Sequence, residues 1–342
     1  MKRNSPASIA IAVAAGGAVL LARNALRRNR KIDLRNRIVL ITGGSRGLGL
    51  VLARQFADEG AKLAICARDE EELGVAHREL TQYGASVLAI PADLTVEDDA
   101  RRVVTRVLDH YGCIDVLVNN AGIIGVGPIE HITMEDYRFA MESNFWSAVN
   151  LAFHAVPHMQ ARRSGRIVNI TSIGGKLGVP HLTPYCASKF ALVGWSRAIR
   201  AELAKDGVVV TTICPGLMRT GSPRHADFKG QNEKEYAWFK IADSIPGLSV
   251  SAEHAASEIL QATRSGEAER IIGVVAKFGV LFDHLLPELS SEVLSIAGRF
   301  LPGPGGIGEQ SRKGAESESS ASRNPITTLT EKAALRNNEV PA

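Results

Sequence analysis

Two side chains able to exchange a proton stand one helical turn apart near the middle of the 342-residue chain. Tyr185 and Lys189 lie in a segment with helical apolar spacing, and positions i and i+4 share one face of a helix. The unperturbed pKa of tyrosine is about 10, and a nearby ammonium group favours the phenolate. The pair predicts acid/base chemistry on an alcohol or a carbonyl group. Ser172, thirteen residues upstream, could hold the same oxygen by a hydrogen bond.

A glycine-rich stretch indicates a phosphate-binding turn. Residues 42–49, Thr-Gly-Gly-Ser-Arg-Gly-Leu-Gly, follow a short apolar run rich in β-branched residues and precede apolar residues at helical spacing. Glycines between a strand and a helix let a pyrophosphate approach the free N–H groups of the helix N-terminus. The spacing G-x-x-x-G-x-G differs from the common dinucleotide fingerprint. We expect cofactor contacts from this loop, at Gly43, Ser45, Arg46, Gly47, Leu48 and Gly49.

Strand and helix patterns alternate from residue 37 to residue 276. The strand patterns, all short and apolar, cover 38–42, 63–67, 86–90, 116–119, 166–170, 208–213 and 271–275. The helical patterns cover 48–59, 70–83, 96–111, 134–163, 184–205 and 252–265. This alternation predicts an α/β fold, a doubly wound parallel sheet (Rossmann fold) of about seven strands with helices on both faces. Ligands should bind at the carboxyl ends of the strands.

Five separated motifs together resemble the classical short-chain dehydrogenase/reductase family. They are the glycine loop, Asp93 after the third strand, Asn119-Asn-Ala-Gly122 after the fourth, Ser172 after the fifth, and the Tyr-x-x-x-Lys pair. The resemblance covers about residues 36–276. It implies a catalytic set of Asn144, Ser172, Tyr185 and Lys189, in which Asn144 supports a water relay through the lysine.

The same resemblance implies further cofactor contacts. Asp93 would contact the adenine, and Asn119 and Gly122 would shape the cofactor wall. Tyr185 and Lys189 would lie at the nicotinamide ribose, and Pro215, Gly216 and Thr220 at the nicotinamide carboxamide.

The charge near the second strand predicts which nucleotide is preferred. An acid at the end of that strand binds the ribose 2′-hydroxyl of NAD, whereas an arginine suits the 2′-phosphate of NADP. The strand ends in Arg68, and Arg46 lies inside the glycine loop. Two arginines can grip a phosphate, so we expect NADP(H). Asp69 is expected to be solvated.

The N-terminal segment, residues 1–36, holds an uncharged, mostly apolar run at 7–22 between basic residues. A short membrane anchor, a cleaved signal peptide and a packed helix are the alternatives. The denser basic cluster follows the run, which by the positive-inside rule keeps that side cytoplasmic, whereas a signal peptide has its charge before the apolar region. We expect membrane association through 7–22, with the catalytic domain facing the cytoplasm.

Composition excludes some partners. The formal charge of +4 arises in the N-terminal segment, so it does not indicate nucleic-acid binding. The four cysteines form no C-x-x-C pair, and their apolar neighbours indicate buried, reduced thiols. The spacing of Cys, His and acidic residues predicts no metal site.

One further region lies inside the catalytic domain, residues 37–276, and two regions follow it. Residues 217–250 should form the substrate loop, whose aromatic residues either line an apolar substrate wall or pack on one another. His225 in this loop is expected at the surface. Residues 277–301 read as amphipathic helices broken near Pro287, packed on the domain, on a second copy or on a membrane. Residues 302–342 are expected to be mostly disordered, apart from a short helix around 330–336.

These observations predict an NADP(H)-dependent oxidoreductase that transfers a hydride between the nicotinamide and a carbonyl or alcohol substrate of lipophilic character. Tyr185 would serve as the acid/base, with reduction as the cellular direction. A catalytically silent nucleotide-binding scaffold or sensor is the alternative of a different class, and a dehydratase or epimerase of the extended relatives is a third. The family resemblance also implies a homo-oligomer that acts on a small molecule.

Overall fold

The computed structural model describes Ala25, Arg27, Arg28 and residues 30–340. Within that part of the chain, no helix is both long and apolar enough to cross a bilayer. The apolar run 7–22, for which the sequence predicts a membrane anchor, lies outside the described residues.

A seven-stranded parallel sheet forms the centre of the molecule. The described residues form twelve strands, of which seven belong to this sheet and five to two small sheets. In chain order they are β1 Ile38–Thr42, β2 Lys62–Ala67, β3 Val87–Pro91, β4 Val116–Asn119, β5 Gly125–Val126, β6 Gly165–Ile170, β7 Val208–Pro215, β8 Met218–Arg219, β9 Asp227–Phe228, β10 Val250–Ser251, β11 Glu269–Ile272 and β12 Arg312–Lys313. The order across the sheet is β11-β7-β6-β4-β1-β2-β3. The strand order reverses beside β1, where open α/β sheets bind their ligands.

Helices cover both faces of this sheet. All the α-helices from Gly47 onward are, in chain order, α1 Gly47–Asp58, α2 Glu70–Gln82, α3 Glu97–Tyr111, α4 Met134–Met141, α5 Ser147–Ala161, α6 Thr183–Leu203, α7 Ser222–His225, α8 Asn232–Ser244, α9 Ala252–Ser265, α10 Val274–Leu285, α11 Pro287–Gly298 and α12 Thr328–Arg336. Buried residues of α1, α2 and α9 form one apolar core with the sheet, and those of α3, α5 and α6 form the other. The predicted doubly wound Rossmann fold is confirmed.

Two boundaries differ from the sequence-based expectation. The last strand ends at Ile272 because Gly273 adopts a φ of +99°, and α10 begins where the strand was expected to continue. The long helix expected over 134–163 is interrupted by a π-helical turn at Glu142–Trp146. Such turns occur mostly as single bulges inside helices, frequently at functional sites.

The segments after the sheet form two contrasting parts. Helices α10 and α11 meet at Leu286 and Pro287, as the sequence predicts, and several of their apolar side chains are exposed. The C-terminal segment, residues 302–340, is folded against the domain, which differs from the expected disorder. It adds β12 antiparallel to β9 and ends in α12, which covers the expected short helix.

Ion pairs to the domain hold this C-terminal segment. Lys240 Nζ lies 2.9 Å from Glu331 Oε1, and Arg224 Nη1 lies 3.0 Å from Glu318 Oε1. The segment has few large apolar residues, so composition favoured disorder. Its binding depends on charged partners far away in the sequence.

Asp115, directly before β4, bonds to the first residue of β1 and to Arg162, directly after α5. Its carboxylate accepts hydrogen bonds from the Ile38 backbone N–H at 3.0 Å and from Arg162 at 2.8 Å. Burial alone would raise the pKa of this carboxyl, but the bonds from Arg162 and Ile38 hold it below its ordinary value. The ionised form therefore stabilises the fold above the carboxyl's ordinary pKa, and this contribution is lost as the pH falls through the lowered pKa.

We expect Asp115→Asn to lower the free energy of unfolding by about 1.5–3 kcal/mol, because a hydrogen bond to a charged group is lost. Urea unfolding at neutral pH measures the change, and the difference from wild type should shrink in acid. Asp109→Asn makes the same substitution at an exposed position of α3 and serves as the control. Equal stability of the two variants would contradict the role given to Asp115.

Candidate active site

The glycine loop between β1 and α1 has no room for side chains at its critical positions. Gly43 and Gly47 have φ values of +62° and +55°. A Cβ added at Gly49 would lie 1.9 Å from the Gly43 carbonyl oxygen. Glycine satisfies both constraints without strain, so the loop packs closely at the N-terminus of α1, the kind of helix end that binds anions.

Thr42 anchors this loop to the chain after β4. Its Oγ1 accepts hydrogen bonds from the backbone N–H groups of Asn120 and Ala121, both at 2.8 Å. The Asn120 amide donates in return to the Thr42 carbonyl at 2.9 Å. The carboxyl ends of β1 and β4 are thereby fixed to each other at the crevice where the strand order reverses.

The four side chains expected to be catalytic come together at these strand ends. Lys189 Nζ lies 5.7 Å from the centre of the Tyr185 ring and donates to the Ile170 carbonyl at 3.2 Å. Ser172 Oγ, just beyond β6, accepts from the Gly174 N–H at 3.0 Å. A Cβ added at Gly174 would lie 3.1 Å from the Tyr185 ring, so this turn packs directly on the tyrosine.

Asn144 enters the site from the π-helical turn. Its Oδ1 accepts from the Ile123 N–H at 2.9 Å, and its Nδ2 donates to the Ile123 carbonyl and to Ser188 Oγ. A Cβ added at Gly122 would lie 2.6 Å from Asn144 Oδ1 and 3.3 Å from Lys189 Nζ. The glycine at 122 therefore lets the asparagine and the lysine approach the same strand end.

Burial controls the protonation of the central pair. It raises the pKa of the Tyr185 phenol, opposed by a hydrogen bond with Ser172. Burial also lowers the pKa of Lys189 to about 8. In this state the phenol is protonated at neutral pH. The sequence predicts that Lys189 lowers the pKa of Tyr185. In the structure burial raises that pKa instead.

Asn119 and Asp93, expected at the cofactor wall and at the adenine, both bond within the protein. The Asn119 amide donates to Asn169 Oδ1 at 2.8 Å in the interior of the sheet. Asp93 Oδ1 accepts from the backbone and hydroxyl groups of Thr95. In the residues the structure describes, Asn119 Oδ1 is buried without a hydrogen-bond partner.

The other expected contacts lie around the same crevice. Leu48 is buried at the start of α1, and Pro215 ends β7. A Cβ added at Gly216 would lie 2.9 Å from the Cβ of Ala276. Thr220 Oγ1 donates to Ser222 Oγ at 2.8 Å.

Glu72 is a residue that the sequence reasoning missed. From the first turn of α2, its carboxylate accepts hydrogen bonds from both Ser45 and Arg46 of the glycine loop. Arg68, directly after β2, is exposed. Asp69 caps α2 by accepting from the Glu72 N–H at 2.9 Å. Arg46 is therefore paired with an acid at the place where the sequence predicts a 2′-phosphate. The sequence does contain a signal for this pairing, because Glu72 is an acid in the first turn of the helix after the second strand.

The aromatic residues of the substrate loop pack on one another. Phe228 lies 5.4 Å from Tyr236 and 6.0 Å from Phe239 between ring centres, and all three are buried. Asp243 on the same helix, α8, is also buried and adds to the raised pKa of Tyr185. Of the two alternatives for these three aromatic residues, mutual packing is the one observed.

The C-terminal segment reaches the glycine loop. The Gly47 N–H donates to the Asn337 carbonyl at 2.9 Å, and Glu339 Oε2 accepts from the Gly221 N–H. His225 Nε2 lies 3.0 Å from the Glu339 carbonyl oxygen. Burial lowers the pKa of His225 to about 4. The expected surface histidine is therefore half-covered by this segment.

The described residues fit a dinucleotide. Gly43, Gly47 and Gly49 have no side chains to fill the space at the N-terminus of α1. The carboxyl group of Glu339 lies in that space, between Gly47 and Gly221. Within the described residues, no cluster of His, Cys, Asp and Glu could hold a metal ion.

Comparison with known proteins agrees with this geometry. The family model of the short chain dehydrogenases matches residues 37–228. The chain is 32% identical over 290 residues to the dehydrogenase/reductase SDR family protein 7-like of Anopheles gambiae, covering 83% of this chain and 90% of that protein. It is 33% identical over 264 residues to the uncharacterized oxidoreductase YxnA of Bacillus subtilis, covering 76% and 72% respectively.

A solved structure is also similar. The L-sorbose reductase of Gluconobacter frateurii, complexed with NADPH and L-sorbose, superposes with a TM-score of 0.63 at 29% identity. The match covers 71% of this chain and 97% of that reductase. With the glycine loop, the reversed strand order and the family match over more than half of its length, the chain belongs to the classical short-chain dehydrogenase/reductase family.

Proposed function

We propose that this protein is an NADP(H)-dependent reductase of carbonyl compounds, in which Tyr185 donates the proton. The observation that carries the proposal is the group of four side chains at the carboxyl ends of the strands, in which Lys189 and Asn144 are buried and Tyr185 and Ser172 are half-buried. A scaffold or sensor that only binds a nucleotide has no physical need for all four. Membership of an oxidoreductase family supports the same conclusion.

The protein's own groups favour the reductive direction. When bound, the nicotinamide supplies the hydride to the carbonyl carbon. Tyr185 holds a proton at neutral pH because burial raises its pKa, so it can donate that proton to the developing alkoxide. Ser172 Oγ, on the turn that packs against the tyrosine ring, can hold the same oxygen. Lys189 would orient the ribose, and Asn144 would support proton replacement from solvent.

A preference for NADP(H) is supported by the charge of the loop. Arg46 can exchange its bond to Glu72 for a bidentate bond to a 2′-phosphate, and Arg68, directly after β2, is exposed and free to contribute a second charge. Asp69 is occupied as a helix cap, which leaves it less suited to a ribose hydroxyl. The NADPH complex of the L-sorbose reductase is consistent with this preference.

We also propose a substrate class, an assembly state and a location for the protein. The substrate is a small carbonyl or alcohol compound, and its lipophilic character stays a prediction, since Phe228, Tyr236 and Phe239 pack on one another. Homo-oligomer formation and a cytoplasm-facing membrane association through residues 7–22 also stay predictions.

We expect Tyr185→Phe to lower kcat by about 10²–10⁴-fold, because the variant has no proton to donate. NADPH binding should remain near wild type, since the ring is retained. Turnover of a carbonyl found by screening and a fluorescence titration of NADPH measure the two effects. Tyr83→Phe removes a hydroxyl from an exposed tyrosine and is the control. Near-normal turnover by Tyr185→Phe would overturn the assignment.

We expect Arg46→Ala and Arg68→Ala each to weaken NADPH binding by about tenfold or more, with little effect on NADH. A lost charge-assisted bond to the 2′-phosphate is the reason. Arg78→Ala, on the exposed face of α2, is the matched control. Separate titrations of NADPH and NADH provide the measurement. Tighter binding of NADH than NADPH by the wild-type chain would show that Glu72 decides the preference instead.

We expect the full-length protein to sediment with membranes and a chain beginning at Ile32 to remain in the supernatant. The apolar run 7–22 is the reason. Ultracentrifugation of lysates of both forms, with washing at high salt, separates apolar association from binding by the basic residues. A full-length protein found entirely in the supernatant would exclude the anchor.

A further inference from the structure

The last described residues of the chain lie on the glycine loop. Two contacts define the arrangement: the Asn337 carbonyl accepts from the Gly47 N–H at 2.9 Å, and Asn338 Nδ2 donates to the Ser45 carbonyl at 3.0 Å. We call residues 337–340 the C-terminal tip. These residues meet the first turn of α1, whose N–H groups and positive dipole end form a phosphate-binding position in dinucleotide folds.

Glu339 places its carboxyl group in that position. A Cβ added at Gly47 would lie 2.9 Å from Glu339 Oε1, and one added at Gly221 would lie 2.6 Å from Glu339 Cβ. The Gly221 N–H donates to the other carboxyl oxygen, and the residue is 3% exposed. The group therefore fills the space between the glycine loop and Gly221, which follows Thr220, another expected cofactor contact.

The tip is attached by bonds that leave the catalytic residues untouched. Arg54 of α1 donates to Asn337 Oδ1 at 2.9 Å and to the Arg336 carbonyl at 2.9 Å. Asn338 Nδ2 also donates to the Glu72 carbonyl, and His225 Nε2 lies 3.0 Å from the Glu339 carbonyl. The tip thus makes specific bonds to α1, to α2 and to the substrate loop.

We propose that the C-terminal tip is a built-in competitor of the dinucleotide, which occupies the pyrophosphate position of the glycine loop and must leave before the cofactor binds. The proposal rests on cofactor binding at this loop, which is part of the proposed function. Two groups cannot fill the space between Gly47 and Gly221 at once, so bound cofactor and docked tip exclude each other. The apparent affinity for cofactor is then reduced by the fraction of molecules whose tip is docked.

The competition should depend on pH. Burial raises the pKa of the Glu339 carboxyl to about 8, and the negative charge of Glu72 adds to this, while the Gly221 N–H, Arg46 and Arg224 oppose it. The neighbouring His225 is uncharged at neutral pH because burial lowers its pKa to about 4. Docking therefore takes up a proton. It is strongest below the ordinary pKa of a glutamic acid and weakens as the pH rises through about 8.

The test compares NADPH binding, by fluorescence titration, in four forms of the protein. One ends at Arg336 and keeps α12, a second is Glu339→Ala, and the wild type is the reference. Glu309→Ala removes an exposed carboxylate elsewhere in the C-terminal segment and is the control. We expect the shortened chain and Glu339→Ala to bind NADPH roughly 5–150-fold more tightly than wild type, the usual range for coupled sites. The control should match wild type, and the gain should shrink between pH 6 and pH 9.

A second measurement follows the tip directly. Trypsin cleaves after Arg336, whose exposed side chain precedes the buried Asn337. Saturating NADPH should accelerate the release of peptide 337–342 from the wild-type chain, as followed by mass spectrometry. Protection by NADPH together with weaker binding in the shortened chain would make the tip a strap over the cofactor and overturn the proposal. Unchanged affinity in the shortened chain would overturn it as well.

These readouts separate this proposal from the proposed reductase activity. If the chain binds NADPH more tightly without its tip but reduces no carbonyl, the proposed competition is supported and the proposed reductase activity is contradicted. If the chain reduces a carbonyl but the tip has no effect on NADPH binding, the reductase activity is supported and the competition is contradicted. If neither the wild-type nor the shortened chain bound NADPH or NADH, both proposals would fail.

Discussion

The contact between the end of β1 and the chain after β4 is the constraint on which the site depends. Thr42 accepts two backbone N–H groups there, and Asn120 returns a bond to the Thr42 carbonyl. Gly49 lies against the Gly43 carbonyl so closely that a methyl group would collide with it. These contacts fix the mouth of the crevice where the strand order reverses. The N-terminus of α1 and the four side chains proposed to be catalytic lie at that crevice, where open α/β sheets bind their ligands.

Burial determines the protonation of the two titratable residues proposed to be catalytic. Removing Tyr185 and Lys189 from water disfavours the charged form of each, so the phenol keeps its proton and the pKa of the ammonium falls to about 8. Asn144 and Gly122 bring the chain after β4 against Lys189. Asn144 lies within the π-helical turn, the kind of helix irregularity that frequently occurs at functional sites.

Charge, more than apolar surface, joins the C-terminal segment to the domain. Lys240 of α8 is almost completely buried, yet it is paired with Glu331 and Glu318 of that segment. Ser244 and Thr330 share a further hydrogen bond. Because a buried ammonium requires partners, α8 and the C-terminal segment depend on each other. The segment thus packs on α8 and also reaches the glycine loop.

The amino-acid sequence by itself determined the sheet, the flanking helices and the group of catalytic candidates. The strands are short apolar runs, and Tyr185 and Lys189 share a helix face through local spacing, so both can be predicted from near neighbours. Only the tertiary structure decided that Asn119 bonds inside the sheet, that Glu72 pairs with Arg46, and that the C-terminal segment is folded. Each of these depends on contacts between residues far apart in the chain, such as Arg54 and Asn337, which are 283 positions apart. The local sequence does not contain that information, because a polar residue looks the same in the sequence whether it forms hydrogen bonds with water or with a residue far away in the chain.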